Sequence, residues 1–419
     1  MGRIMLMLPE GFLEEIDALP GIDTAAFAAA MSGAPEVSFK INRRKCADAA
    51  DAGYPGAERV GWCPSGFYLA ERPQFTLNPL LHAGVFYVQE ASSMIHEAIV
   101  AELFRKYNLP QKGIALDLCA APGGKTTSMI NALPDGFTVV ANEVMPQRAK
   151  ILRENLLKWG YPDILATCSQ TSVYAEAGET FDIVAVDAPC SGEGMMRKDE
   201  TAAAQWSPRL VAQCAALQRE ILDNAVAALR PGGFLIYSTC TFNRTENEEN
   251  VEWLSSRHGL EPIDMEFPAE WGIATGIGCD MPVMRFMPHV TRGEGLFAAV
   301  LRKPGEPHPQ ADRKALAFLR KKARVILDGI PTVSLKGKIE IPASEWALST
   351  AFPSGRYPVA ELDEATALSY LRHEAIRLDA DAPRGFTVVT CKGHPLGFVK
   401  NIGNRANNLY PAEWRIRNL

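Results

Sequence analysis

Three short stretches of this chain carry residues able to do covalent or cofactor chemistry. Asp117 to Lys125 reads DLCAAPGGK, Asp187 to Gly194 reads DAPCSGEG, and Tyr237 to Thr241 reads YSTCT. Each overlaps or follows a short apolar run with the length and β-branched content of a buried strand, so all three are expected at strand tips. In the first, Gly123 and Gly124 let the backbone approach a ligand closely, and the helix start that follows offers free N–H groups. One strand later, at the end of FTVVAN, stands Glu143. A carboxylate at the second strand's tip can accept hydrogen bonds from both hydroxyls of a ribose, so the ligand is expected to contain a nucleoside. The rival reading is a phosphate-cradling NTPase loop. That loop needs a glycine separated by four residues from Gly124-Lys125-Thr126, where this chain has Cys119, and Pro122 removes an amide from the would-be nest.

The other two stretches each place a cysteine, Cys190 and Cys240, just past a strand at the edge that carries the cofactor loop. A lone cysteine is usually an inert small hydrophobe. Two at neighbouring tips, both facing a nucleoside site, call for a reaction that uses thiols. Methylation at carbon 5 of cytosine is such a reaction. Carbon 5 is a poor nucleophile until a thiolate adds to carbon 6, breaks the aromaticity and makes carbon 5 enamine-like towards a methyl sulfonium. The thiolate is the reactive form. An acid near the ring nitrogen must offset the developing charge, and Asp187 is placed for that. Spacing alone leaves open which cysteine attacks and which assists release.

The elements that must hold these tips alternate between about Gly84 and Lys303. Strands are expected at Ile114 to Leu118, Phe137 to Asn142, Asp182 to Ala188 and Phe234 to Thr239. Helices are expected at Thr126 to Asn131, Pro146 to Trp159, Leu210 to Leu229 (closed by Pro231-Gly232-Gly233) and Glu246 to Ser256. That succession predicts an α/β fold, a doubly wound Rossmann-like sheet with ligands at the carboxyl ends of its strands. Val283 to Val290 and Leu296 to Arg302 read as a hairpin at one edge, which makes the sheet mixed. Before the core, residues 1–83 form a small α+β domain with a helix over Gly11 to Leu19 and an extended piece over Val37 to Arg43. The core is expected over 84–305. Lys303 to Gln310 is a linker by composition, and 306–419 form a further region.

Bulk properties exclude several classes. Of 419 residues, 47% are hydrophobic and 22% charged, ordinary for a soluble globular protein. No apolar run approaches the roughly 20 residues that span a bilayer, and Met1 to Leu8 reads as neither signal peptide nor anchor. Nine cysteines without paired spacing point to a reducing compartment, so a cytoplasmic location is expected. A net charge of −6 says little about nucleic acid, because binding follows local patches. Three patches stand out: KINRRK over Lys40 to Lys45, RKALAFLRKKAR over Arg313 to Arg324, and a tail with Lys400, Arg405, Arg415 and Arg417. Tyr410 and Trp414 accompany the tail charges, a mixture suited to stacking on unpaired bases if the rings are not core residues.

The chain resembles the RNA cytosine-5 methyltransferases, most closely the bacterial 16S ribosomal RNA enzymes of the RsmF (YebU) type. The matching stretches are YVQEASSM (Tyr87 to Met94), DLCAAPGGKT, the NE at Asn142 with the RAKILRENLLKWG helix, DAPCSGEGMMRKD (Asp187 to Asp199), YSTCTFNRTENEENV (Tyr237 to Val251) and GEGLFAAVLRK (Gly293 to Lys303). They cover about residues 35 to 303. KGHPLGFVKNIGNRANNLYPAEWRIR is similar to the PUA-like RNA-binding tail of RsmF-type proteins, here about 370–419. The resemblance implies a class I methyltransferase core and an N-terminal RNA-binding domain. It implies S-adenosylmethionine as methyl donor, and 16S ribosomal RNA or the small subunit as partner, with no metal, no membrane and a monomer. It assigns Cys240 as nucleophile and Cys190 as the aid to product release. Its cofactor contacts fall on Cys119, Ala120, Ala121, Pro122, Gly123, Gly124, Lys125, Glu143 and Asp187. One departure matters. Members often carry Asp after the third strand, near the adenine, whereas Thr167 to Ser172 reads TCSQTS. Ser169, Gln170 or backbone must serve there. An amino-group methyltransferase would carry an aromatic residue where Cys190 stands. An RNA-binding or assembly protein with an inactive core would not need Lys125, Asp187, Cys190 and Cys240 together.

Overall fold

A computed structural model describes residues 8–107, 109–306 and 312–417. The expectation for Met1 to Leu8 falls almost wholly outside that range, as does the second half of the linker, Pro307 to Gln310. The N-terminal domain carries helices α1 (Phe12–Asp17), α2 (Thr24–Ser32) and α3 (Pro79–His82). Its strands are β1 (Val37–Ile41), β2 (Glu58–Arg59), β3 (Gly66–Leu69) and β4 (Phe86–Val88). They form one antiparallel sheet in the order β2-β3-β1-β4. Strand β4 belongs to this sheet, so the N-terminal unit runs past residue 83.

The core continues with α4 (Ile95–Lys106), β5 (Lys112–Asp117), α5 (Gly124–Ala132), β6 (Gly136–Asn142), α6 (Pro146–Trp159), β7 (Ile164–Thr167), α7 (Ser172–Ala177) and β8 (Phe181–Asp187). There follow α8 (Glu200–Gln205), α9 (Pro208–Ala228), β9 (Leu229–Thr239), α10 (Glu248–His258), β10 (Glu261–Pro262), β11 (Val283–Phe286) and β12 (Leu296–Arg302). Local chemistry starts and stops the long helices. Pro146 opens α6 and Gly160 closes it at φ 80°. Ser207 caps α9 by accepting from Leu210 N, with Pro208 next. Pro231-Gly232-Gly233 does not lie in a loop after α9. These residues form a bulge inside β9, where pairing with β8 jumps from Phe181–Leu229 to Ile183–Phe234 and Gly232 takes φ 73°.

The core sheet runs β10-β12-β9-β8-β5-β6-β7-β13, with β11 on β12. Strands β5 to β9 are mutually parallel, and β12 joins β9 antiparallel. The order reverses at β5, with β6 and β7 on one side and β8 and β9 on the other. Such a switch point opens a crevice beyond the strands' carboxyl ends. Beyond the core come α11 (Asp312–Lys322), β13 (Val325–Asp328), a hairpin of β14 (Val333–Lys336) and β15 (Ile339–Pro342), and α12 (Ser344–Ala347). Strand β16 (Val359–Glu361), α13 (Glu364–Leu371), β17 (Gly385–Cys391), β18 (His394–Asn401) and β19 (Ala406–Asn408) follow. Strand β13 pairs antiparallel with β7, so the core sheet takes a strand from beyond residue 305. The tail sheet β16-β17-β18-β19 starts at Val359, earlier than 370.

Two expectations about the surface are corrected. Tyr410 and Trp414 are 1% and 5% exposed and pack against each other and Tyr370. They are core rings of the tail, because a small β unit needs large side chains to fill it. In KINRRK, Lys40 is buried, Arg44 donates to the Ile130 and Leu133 carbonyls and pairs with Asp135, and Lys45 donates to the Ala83 and Lys158 carbonyls. Arg43 alone of these cations is exposed. By contrast Lys314, Arg320, Lys321, Lys322 and Arg324 are exposed on and just after α11, whose Ala315 and Leu319 are buried. The tail's Lys400, Arg405, Arg415 and Arg417 are exposed as well.

Candidate active site

The tips of β5, β6, β8 and β9 surround a cleft of about 470 Å³ lined by Cys119, Glu143, Gln170, Asp187, Cys190 and Cys240 among others. Glu143, at the end of β6, is 2% exposed; its Oε1 accepts from Met145 N at 2.8 Å and its Oε2 lies 3.3 Å from Arg148. Val144, Met145 and Leu217 are exposed to 40%, 52% and 44%, and all three line this cleft. Apolar side chains left in water around a carboxylate suit a flat ring attached to a diol. Gln170 is on the lining. Ser169 is engaged elsewhere, its Oγ accepting from Arg324 N at 2.8 Å.

The loop after β5 divides into two parts. Cys119 faces the cleft. Ala120 to Gly124 form its back and are held by the next strand and helix: Ala120 N donates to Asn142 O, Arg148 to Ala121 O and Asn155 to Pro122 O. Gly123 takes φ 111°, a conformation glycine reaches without strain, and a Cβ on Gly124 would sit 3.2 Å from Gln89 Cδ. Glycine here lets the loop lie against β4's extension.

At the other end of the cleft stand the thiols. Cys190 Sγ and Cys240 Sγ are 3.2 Å apart. The hydrogen bond to Cys240, together with burial, pushes the Cys190 thiol well above its ordinary value. Either thiol can donate across this contact, so the pair is close enough for one sulfur to hand a proton to the other. Lys125 Nζ lies 2.6 Å from Asp187 Oδ1. Burial alone would pull the Lys125 ammonium down, but Asp187, helped by Cys240 and Glu90, leaves it above the usual lysine value. One fixed cation thus stands beside both the acid and the sulfur pair.

Two glutamates that spacing did not single out lock the cysteine loops together. Glu246 accepts from Ser191 N at 3.0 Å, Ser191 Oγ at 2.5 Å and Gln218 Nε2 at 2.7 Å. Glu193 accepts from Phe242 N, Asn243 N and Trp206 Nε1. Each carboxylate reaches from one cysteine's segment to the other's. The signals were acidic residues close behind each cysteine, Glu193 in DAPCSGEG and Glu246 in TENEEN. Among the described residues no group of three or more His, Cys, Asp or Glu is arranged to hold a metal ion, and no helix is long and apolar enough to cross a membrane.

Comparison with known proteins shows the family of the chain. Residues 107–302 match the family described as 16S rRNA methyltransferase RsmB/F, 8–91 the N-terminal domain of 16S rRNA methyltransferase RsmF, and 357–416 the methyltransferase RsmF PUA domain. The ribosomal RNA small subunit methyltransferase F of Cronobacter sakazakii is 33% identical, over 97% of this chain and 96% of the relative. The protein of that name from Escherichia coli O9:H4 is 31% identical over 99% and 98%. Among solved structures, a methyltransferase homologue from Pyrococcus horikoshii is 26% identical with a TM-score of 0.59, covering 69% of this chain and 93% of the other. The chain belongs to the RsmF-type family of 16S ribosomal RNA methyltransferases.

Proposed function

We propose that this chain methylates carbon 5 of a cytosine in 16S ribosomal RNA, with S-adenosylmethionine as donor and Cys240 as nucleophile. The observation that carries the reading is the Cys190–Cys240 pair at 3.2 Å, facing one cleft with the Lys125–Asp187 pair. The donor fits the cleft: Val144, Met145 and Leu217 suit the adenine, Gln170 its polar edge, Glu143 the ribose hydroxyls, and Cys119, at the head of the loop whose back is Ala120 to Gly124, the amino-acid end. When bound, S-adenosylmethionine supplies a methyl group on a positively charged sulfur. The protein's own groups do the rest. Cys240 adds to carbon 6 of an extruded cytosine, and Asp187, steadied by Lys125, serves the ring nitrogen as charge develops. Cys190, in contact with Cys240 sulfur, assists release of Cys240 once the carbon 5 proton has left. Buried glutamates behind both loops keep the sulfurs in register.

RNA is gripped by the flanking units, with the exposed cations of α11 and the tail on phosphates and the N-terminal domain contributing surface. The chain is read as a monomer, and its nine free cysteines fit the reducing cytoplasm. The test separates the thiols. Cys240→Ala should lose turnover and form no covalent RNA adduct. Cys190→Ala should trap a protein–RNA adduct that survives denaturing electrophoresis. The opposite pattern would exchange the two roles, and adducts from neither variant would remove the covalent step.

A further inference from the structure

The two sulfurs at the head of the cleft are also placed for a chemistry other than methyl transfer. Cys190 Sγ and Cys240 Sγ are 3.2 Å apart, and both residues line the cleft. A disulfide needs about 2.05 Å, so closing the gap takes roughly 1.2 Å of movement. The loops that carry the sulfurs are already locked in register. Gly194 N donates to the Cys240 carbonyl oxygen at 2.7 Å, and Glu246 and Glu193 tie the two segments together from behind. Among the described residues no other two cysteine sulfurs are in contact.

The surroundings decide which sulfur an oxidant meets first. The thiolate is the form that attacks a peroxide, and reactive cysteines stand in electropositive, partly exposed places. Cys240 faces the cleft within reach of the Lys125 ammonium, on which it acts electrostatically. Cys119, a further thiol on this cleft, is pushed up by burial and then by Asp117, so it keeps its proton. Cys190 is held up first by its hydrogen bond to Cys240, then by burial and by charge on Cys240. Oxidation of Cys240 to a neutral sulfenic acid removes that charge. It leaves Cys190 beside the oxidised sulfur as the resolving thiol.

We propose that the Cys190–Cys240 pair is an oxidative modification site: a hydroperoxide converts it to a disulfide that stops methylation reversibly and shields Cys240 from deeper oxidation. In the first step the Cys240 thiolate attacks one peroxide oxygen. The O–O bond breaks, an OH group moves onto sulfur, and the departing alkoxide takes up the proton that Cys240 had lost. In the second step Cys190 sulfur attacks Cys240 sulfur. The new sulfur–oxygen bond breaks, the sulfur–sulfur bond forms, and the OH leaves as water with the Cys190 proton. Two thiols and one hydroperoxide thus become one disulfide, one alcohol and one water, and the sulfurs lose the two electrons that the peroxide gains. A dithiol reverses the change by exchange. The closed pair has no thiolate to add to carbon 6, whereas Glu143, Val144 and Met145 on the donor side of the cleft take no part. The loss of methylation rests on the reading of Cys240 as nucleophile; formation of the disulfide rests on the geometry of the pair alone.

The experiment treats the full chain with hydrogen peroxide, blocks the remaining free thiols and maps the peptides by mass spectrometry. RNA methylation and S-adenosylmethionine affinity are measured on the same samples. The expected product is a link between the Cys190 and Cys240 peptides, with loss of two hydrogens. Turnover should be lost in proportion to the linked fraction and return with dithiothreitol, while donor affinity stays unchanged. Cys119→Ser should form the same link. Cys190→Ala, without the resolving thiol, should instead gain oxygen atoms on Cys240 that dithiothreitol does not remove. Oxygen atoms on Cys240 of the parent chain with no link overturn the proposal and leave the nucleophile assignment standing. A link that runs through Cys119 or any other cysteine overturns it in the same way. A complete Cys190–Cys240 link with turnover unchanged overturns both the inactivation and the nucleophile assignment.

Discussion

Lys40 is fully buried and Lys125 mostly so, both are set against the same loop, and they titrate in opposite directions. Lys40 Nζ meets Gln89 Oε1 at 2.5 Å, Ser128 Oγ at 2.7 Å and the Gly124 carbonyl, all of them neutral, and burial pulls it down to about 7. Lys125, the next residue along from that carbonyl, has a carboxylate at 2.6 Å and stays above the ordinary lysine value. Burial lowers both, so the partner decides the direction. Neutral acceptors make a lysine a strut that ties β1 to α5. A carboxylate makes it a lasting charge that a reaction can use.

The largest effect expected from this contrast is on turnover. Lys125→Met should lower kcat by roughly 10²–10³, the usual loss when a fixed group stabilising developing charge is removed. Lys40→Met at neutral pH should leave kcat within about tenfold of the parent, since its Nζ contacts only neutral structural groups. Single-turnover methylation of saturating RNA measures both, and comparable losses would erase the distinction.

A smaller effect concerns stability. The unfolded chain holds the Lys40 proton up to the ordinary lysine value, and the folded chain only to about 7. Between those limits the unfolded state binds more protons, so stability rises with pH. Lys45, donating to two carbonyls and likewise lowered to about 7, adds in the same sense. The melting temperature should therefore climb from about pH 7 until cysteines begin to ionise in the unfolded chain at about 8.5. Lys40→Met should flatten that climb. A slope identical to the parent's would show that Lys40 keeps its proton in the fold.

The smallest effect separates the two basic runs. Removing Lys321 and Lys322, both exposed, should reduce the slope of log affinity against log salt by roughly 1.4–1.8 and leave kcat on saturating RNA unchanged. Arg44→Ala, which breaks bonds to α5 carbonyls, should lower the melting temperature and leave the salt slope alone. Filter binding across a salt series reads the outcome, and a slope change for Arg44 alone would reverse the assignment of the two runs.

Much of the catalytic end is readable from residue order, because its chemistry is local. Cys119, Glu143, Asp187, Cys190 and Cys240 each follow a strand whose apolar run is continuous, and the parallel sheet brings all five to one cleft. What pattern could not supply depends on distant partners. KINRRK is a run of cations in sequence, yet Arg44 and Lys45 spend their charge on carbonyls more than 35 positions away. Tyr410 and Trp414 have the composition of a stacking surface and the burial of a core. Strand β7 is four residues long and β13 pairs with it across more than 150 positions, so neither carries a strong periodic signal.

Strand β13 also governs how the molecule can be taken apart. Ile164 to Thr167 of β7 are all buried, and β13 covers the sheet edge they form. A chain cut at residue 305 would present that edge, apolar and unpaired, to any passing strand. The piece carrying the chemistry would then tend to associate with itself before it met RNA. The region after the core is thus also its edge guard. Divergence in how RNA is selected has free room after Asp328, while the segment before it is tied to the solubility of the enzyme.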